Sequence, residues 1–306
     1  MRSLRLSLED LSSFRTRLMG VATLMIIACH SKASGVAMPH WFGELMKTGN
    51  YGVDIFLLLS GLGCYYSLSK DGQDLSAFYR KRFFRIFVPY LLIYIPINLI
   101  YLSLGGKSLG ECLLSLTTMD YWLLHKGAWF VSLIIVLYLA APLIHTAVSG
   151  KWKWGCVAVM VLLIAGLCSI PIQDNSDTSV LHNVQWAFSR APGFILGMAV
   201  AQGCKDRKTV TAAWPILLAL LYYPVRLLVP TCDGRWLVAP LIASSFIVVI
   251  KMLRSVGFVD RFLTFMGNIS LESYLTNISL NTLLVFLIPA FISSPIFWAG
   301  SWSIPS

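Results

Sequence analysis

Nine runs of mostly apolar residues, near 17–35, 51–69, 83–104, 127–148, 153–171, 186–203, 210–229, 235–252 and 262–288, set the terms for how this chain folds. Each is long enough to cross a hydrocarbon core of ~30 Å, which takes roughly 17 to 25 helical residues. Inside lipid every backbone N–H and C=O must be satisfied within the segment, so runs of this length fold as helices. The expectation is an all-α, polytopic transmembrane helix bundle of about nine spans, with residues 1–306 forming a single integral-membrane domain. Between the third and fourth runs, residues 105–126 are partly apolar and suit the membrane interface.

Composition agrees: 57% of residues are hydrophobic and 12% charged, with a mean hydropathy of +0.73, which excludes an ordinary soluble domain. The net charge of +10 would suit nucleic acid. The basic residues, however, sit in short clusters between apolar runs, so a lipid bilayer is the expected partner and nucleic acid is not. Cys29, Cys64, Cys112, Cys156, Cys168, Cys204 and Cys232 form no CxxC pair and lie mostly within apolar runs. They read as small buried side chains, with neither a disulfide framework nor a metal site. The first run starts near Leu18 and has no cleavage site after it, so it reads as a retained span.

Orientation follows from the basic residues. Placing the N-terminus in the cytoplasm puts seventeen Lys and Arg on the inner side and six on the outer, with Arg190 inside a span. That asymmetry favours a cytoplasmic N-terminus in a cell (inner) membrane. Among the inner residues, Arg80, Lys81, Arg82 and Arg85 lie in the stretch from Tyr79 to Pro89, which runs directly into the third span. As a helix, this stretch carries Arg82 and Arg85 on one face, about one turn apart. Such a face grips a phosphate or carboxylate, or serves as a plain juxtamembrane anchor.

Ionisable residues inside a bilayer are costly and are functional candidates. His30 lies ~20 Å from the Arg17 end of the first span, towards the outer side, and Asp54 about one turn, ~5 Å, inside the second span. Their similar depth makes them candidate partners, in which the carboxylate fixes the imidazole tautomer. A helix-to-helix hydrogen bond for His30 and a helix-start cap for Asp54 are the simpler alternatives. Arg190 enters the sixth span at a comparable depth and suits an acidic acceptor, neutralisation of Asp54, or a snorkelling anchor. Trp129 starts the fourth span at this level. Glu272 and Tyr274 lie ~15 Å above the inner edge, between the arginines and the histidine. Ser60-Gly61 in the second span, with Gly193 and Gly197 in the sixth, suits close helix approach.

Taken in order, these residues resemble the acyltransferase 3 family of integral-membrane acyltransferases, which includes bacterial O-acetyltransferases acting on polysaccharides. The resemblance rests on Gly20-Val21-Ala22 running to His30, Gly52-Val53-Asp54-Ile55-Phe56 with Ser60-Gly61, and Arg82-Phe83-Phe84-Arg85-Ile86-Phe87-Val88-Pro89. Trp129-Phe130 with Leu137-Tyr138 and Pro142, Arg190-Ala191-Pro192-Gly193-Phe194, and Ser270-Leu271-Glu272-Ser273-Tyr274-Leu275 complete it. It implies a catalytic His30 and an acyl-CoA site at Arg82 and Arg85 on the cytoplasmic side. Three departures stand out. Members often carry an arginine eleven residues before the histidine, where this chain has Met19, and a histidine three residues after the tyrosine, where it has Asn277. Members usually have ten spans, so the residues after Pro289 are expected to form a short re-entrant or outer segment, or the chain is truncated.

The function expected from this resemblance is transfer of an acyl group, in the first place acetyl from acetyl-CoA, to a hydroxyl of a cell-envelope glycan or lipid-linked sugar. Arg80, Lys81, Arg82 and Arg85 would hold the CoA phosphates. His30 would act as general base oriented by Asp54, or carry the acyl group transiently. Tyr274, Arg190 or the backbone at Ser60-Gly61 would serve the oxyanion. The competing class is a membrane transporter for a small polar solute such as an amino acid, for which midplane polar residues are also suited. No inverted repeat favours that alternative.

Overall fold

The computed structural model describes residues 5–33, 38–70, 74–172, 179–230 and 232–287. Its helices, in chain order, are α1 (Glu9–Ser13), α2 (Arg15–Ala33), α3 (His40–Lys47), α4 (Tyr51–Leu68), α5 (Leu75–Ser103), α6 (Leu109–Leu116), α7 (Met119–Leu124) and α8 (Trp129–Ser149). They continue as α9 (Lys153–Cys168), α10 (Val180–Phe188), α11 (Ala191–Lys205), α12 (Ala213–Leu220), α13 (Tyr222–Leu228), α14 (Ala239–Met252), α15 (Gly257–Asn268) and α16 (Ser270–Leu287). A short antiparallel pair, β1 (Arg5–Ser7) and β2 (Thr209–Thr211), sets Leu6 opposite Val210. The predicted helical class holds.

Three helical stretches among the described residues are long and apolar enough to cross a membrane: His40–Leu68, Leu75–Ser103 and Trp129–Ser149. Lys153–Cys168 and Ala213–Leu228 are apolar but shorter. Other expected runs are interrupted, with a local cause in two cases. The run 186–203 breaks at Ser189 and Arg190, and Pro192 sits in the first turn of α11, where its missing N–H is no loss. The run 210–229 breaks at Leu221, because Pro224 has no N–H to give the Leu220 carbonyl. The run 262–288 is divided at Ile269 between α15 and α16. The segment expected after Pro289 lies outside the described residues.

Helix α5 begins well before the apolar run it contains. Asp74 caps it, its carboxylate accepting from the Ser76 N–H at 3.1 Å. The whole basic stretch from Tyr79 to Pro89 is therefore helical, continuous with the apolar turns that follow.

The core is centred on α2, α4, α8 and α11. Helices α4 and α11 approach closely because Gly61 and Gly197 face the opposite backbone. A Cβ at Gly61 would stand 2.0 Å from the Phe194 carbonyl oxygen, and one at Gly197 2.0 Å from that of Leu58. Backbone cannot move aside as a side chain can. Gly197→Ala is expected to cost about 1–3 kcal/mol of stability, as overpacking does. Thermal unfolding in detergent checks this, and an unchanged midpoint would contradict it.

The connection 105–126 folds into α6 and α7. Ser108 and Glu111 form a capping box: Ser108 Oγ accepts from the Glu111 N–H at 3.2 Å and Glu111 Oε2 from the Ser108 N–H at 2.9 Å. Asp120, in α7, is buried, and burial pushes its pKa up to about 6. The folded protein thus holds this proton more tightly than the unfolded chain does. Stability attributable to Asp120 is complete below its ordinary value of 3.8 and declines as pH rises through about 6. Asp120→Asn should raise the thermal midpoint at about pH 8 while leaving it unchanged at about pH 4. A midpoint lowered at both would show that the ionised carboxylate itself is needed.

Candidate active site

The N-terminal ends of α4 and α11 meet over a buried ion cluster. Asp54, in the first turn of α4, has no exposed surface, and Arg190, which precedes α11, is 1% exposed. Burying either charge alone would be prohibitive, so each requires the other. Arg190 Nη1 donates to Asp54 Oδ2 at 3.0 Å and to the Asn50 carbonyl at 3.3 Å. Its Nε donates to Asp233 Oδ2 at 3.0 Å, and Nη2 lies 2.9 Å from the same oxygen. Nη2 also donates to Asn50 Oδ1 at 3.1 Å. Four hydrogen bonds thus hold the guanidinium, which has five N–H donors. The plane also lies 5.6 Å from the centre of the Trp129 ring.

Arg190 thus serves as the counterion of Asp54, one of the three roles open to it in the sequence. The expected pairing of Asp54 with His30 is corrected. Asp54 gives its Oδ2 to Arg190, while its Oδ1 has no hydrogen-bond partner among the described residues. A fully charged guanidinium neutralises a buried carboxylate better than an imidazole does. Asp233, the other anion of the cluster, was not singled out in the sequence. It stands just before a short 3-10 turn, where it accepts from the Arg235 N–H at 3.2 Å.

His30, on α2, is half-buried and takes another partner. Its Nδ1 is hydrogen-bonded to Oδ1 of Asn277 on α16. An amide oxygen only accepts, so Nδ1 carries the proton in the neutral ring and Nε2 is the basic nitrogen. Asn277 is the position at which the sequence departs from the resembled pattern, and here it performs the orienting task expected of Asp54. One turn earlier on α16, Tyr274 places its ring 6.3 Å from that of His30 and 5.4 Å from that of Phe130. The buried Tyr274 hydroxyl donates to no described acceptor.

Below this layer lies a cavity of about 60 Å³, lined among others by Arg15, Ser60, Arg85, Tyr138 and Tyr274. It has room for a few waters or the end of a narrow chain. Arg85 is exposed and reaches the cavity. Arg82, one turn away on the same helix, is set differently. It is buried, donating from Nη2 to the Gly63 carbonyl at 2.9 Å, and its guanidinium lies over Phe78 and Tyr138 at 5.5 and 5.2 Å. One turn of helix α5 separates the two arginines, but the closure of α4 and α8 over Arg82 turns it inward.

The third cation at this end was counted in the sequence only towards orientation. Arg15 Nε donates to the Leu59 carbonyl at 3.1 Å. Burial, then the neighbouring Arg85 and Arg82, lower its pKa, and no carboxylate is among the groups acting on it. Three guanidinium groups converge here, with no acidic partner among the described residues, a field that favours an anion. A signal for Arg15 was present. It stands four residues before Met19, on the same helix face as the position where the resembled family carries an arginine, and Met19 lines the same cavity. Arg17 is instead held by Asp260 of α15, with Nη2 to Oδ2 at 3.0 Å. Ser60 lines the cavity, Trp129 covers Arg190, and Arg80 and Lys81 are exposed on α5. Glu272 is exposed on α16, turned away from Tyr274, and does not join the site.

The model of a family described as an acyltransferase domain matches residues 18–304, nearly the whole chain. The chain belongs to the acyltransferase 3 family. Acyltransferase MdmB of Streptomyces mycarofaciens is 26% identical over an alignment of 220 positions that covers 61% of this chain and 56% of that protein. The aligned part thus spans little more than half of that relative. No solved structure matches the chain. The site thus brings together the His30 ring, hydrogen-bonded through Nδ1 to Asn277, the Tyr274 ring 6.3 Å from it, and a cavity lined by Tyr274, Arg15 and Arg85.

Proposed function

We propose that this acyltransferase moves an acetyl group from cytosolic acetyl-CoA to a hydroxyl of a cell-envelope glycan or lipid-linked sugar. In this reading it spans the inner membrane about nine times with its N-terminus in the cytosol, as the asymmetry of its basic residues favours. The observation that carries the reading is a cavity lined together by Arg15, Arg85 and Tyr274, whose ring lies 6.3 Å from that of His30.

Arg85 and Arg15, with exposed Arg80 and Lys81 nearby on α5, hold the phosphates of CoA by charge-assisted hydrogen bonds. Arg82 keeps the helices together at that end through Gly63 and contributes positive field. The thioester arm enters the cavity, where the Tyr274 hydroxyl donates to the carbonyl oxygen as negative charge develops on it. His30 Nε2 takes the proton of the acceptor hydroxyl while that oxygen forms the new C–O bond. The C–S bond breaks, and the CoA thiolate leaves and takes up a proton. His30 as a transient acyl carrier uses the same geometry in two transfers.

The test follows labelled acetyl from acetyl-CoA into envelope material in membranes containing the protein. Incorporation into a hydroxyl-bearing glycan or lipid-linked sugar is the expected result, and none in any envelope fraction overturns the proposal. Arg85→Ala and Arg15→Ala should each raise the KM for acetyl-CoA roughly 10- to 100-fold, the worth of one charged hydrogen bond, with kcat little changed. Loss of kcat at unchanged KM would remove the phosphate role.

A further inference from the structure

Helix α1, the first turn of α2 and the end of α14 enclose a second cavity, of about 480 Å³, which shares no lining residue with the candidate active site. Phe14 lines it, with the Arg17 guanidinium 5.6 Å and the Lys251 ammonium 5.7 Å from the centre of its ring. Two ion pairs brace the walls. Arg17 Nη2 donates to Asp260 Oδ2 at 3.0 Å, and Lys251 Nζ donates to Asp10 Oδ2 at 2.7 Å. Glu9, also in the lining, is paired with Arg207 at 3.2 Å. These contacts balance each charged residue of the lining except Arg254. That residue, in the 3-10 turn Leu253–Ser255 between α14 and α15, is exposed and pairs with no carboxylate among the described residues. A single unneutralised cation at a cavity suits a singly charged anion such as a phosphodiester.

The neighbouring surface narrows the choice of anion. Four residues after Arg254, Phe258 begins an exposed stripe that continues through Phe262 and Phe265, at i, i+4 and i+7 of α15. The rings of Phe258 and Phe262 stack at 6.1 Å. The opposite face of α15 is committed to α2, where a Cβ at Gly267 would stand 1.9 Å from the Thr16 carbonyl oxygen. The stripe is about 10 Å long. A charged cavity leading onto an apolar stripe repeats the polarity of a phospholipid, headgroup and then acyl chains, and basic pockets between membrane helices hold phosphate headgroups. A soluble phosphate would use the cavity alone.

We propose that this cavity and the α15 stripe together bind a membrane phospholipid, with its phosphodiester group on Arg254 and its acyl chains along Phe258, Phe262 and Phe265. The bound lipid joins the turn between α14 and α15 to the start of the chain. The proposal depends neither on the acetyl-transfer reading nor on which end of the bundle faces the cytosol, because both leaflets contain phosphodiester headgroups.

The experiment holds the full chain in maltoside micelles, which contain no phosphate, and adds phosphatidylglycerol with a diazirine on its acyl chain. After illumination, peptides are weighed. The adducts are expected to concentrate on residues 257–268. Arg254→Ala should lower them roughly tenfold, the worth of one charged hydrogen bond, whereas Arg226→Ala, which removes an exposed cation on α13, should not. Diacylglycerol carrying the same diazirine chain should mark α15 weakly and be indifferent to Arg254→Ala. Unlabelled phosphatidylglycerol should compete, and acetyl-CoA should not. Equal marking by the two lipids, or marking by phosphatidylglycerol that survives Arg254→Ala, would reduce the stripe to ordinary contact with bulk lipid and overturn the proposal. Displacement by acetyl-CoA would assign the cavity to a soluble phosphate and overturn it as well. Acetyl transfer is measured separately, so its failure leaves the lipid site standing.

Discussion

Arg190→Ala is expected to remove most of the folded protein from membranes. The substitution leaves Asp54 and Asp233 facing each other in a site with almost no solvent contact. Breaking a buried pair from one side costs about 3–5 kcal/mol, a large share of the stability of a typical domain. It also strips Asn50 of both of its Arg190 bonds, so the start of α4 loses its tie to α11. Arg190→Lys keeps a charge but cannot reach Asp54, Asp233 and Asn50 at once, so an intermediate loss is expected. Fluorescence-detected size exclusion with a thermal ramp measures both. A monodisperse Arg190→Ala protein with an unchanged midpoint and lost transfer would instead make Arg190 a ligand-binding residue.

His30→Ala is expected to lower transfer roughly a hundredfold to ten-thousandfold, the worth of a positioned acid or base, at an unchanged level of folded protein. His30 is half-buried, and α2 and α16 pack against each other at other positions besides the His30–Asn277 bond, so folding survives its removal. Asn277→Ala should lose a smaller factor, because the ring keeps its chemistry and loses only its orientation. Asn277→His restores a side chain able to accept from Nδ1, and should recover most of that loss. Labelled-acetyl transfer at saturating donor separates these variants. Full transfer by His30→Ala would move the chemistry to another residue, and equal losses in His30→Ala and Asn277→Ala would make the contact structural.

The family and the helical class were legible in the chain because both depend on local pattern. Apolar runs of membrane length, the position of His30 on the first of them, and the basic stretch ahead of Pro89 follow from spacing alone. The runs 186–203 and 210–229 were expected to be unbroken, although Pro192 and Pro224 stand beside the interruptions at Arg190 and Leu221. Spacing also says which residues share a helix face, which is why Arg15 and Met19 reach the same cavity.

What covers a face is decided by an element far away in the chain, and only the tertiary structure decided it. Asp54 and Arg190 are 136 positions apart and His30 and Asn277 are 247 apart. Spacing along the first two runs gave Asp54 and His30 a similar expected depth, but partner choice followed desolvation: the fully buried carboxylate took the permanent cation and left the imidazole to an amide. Packing likewise gave Arg82 and Arg85 different surroundings. Helical spacing put them a turn apart, and packing against Gly63, Phe78 and Tyr138 withdrew one while leaving the other at the cavity.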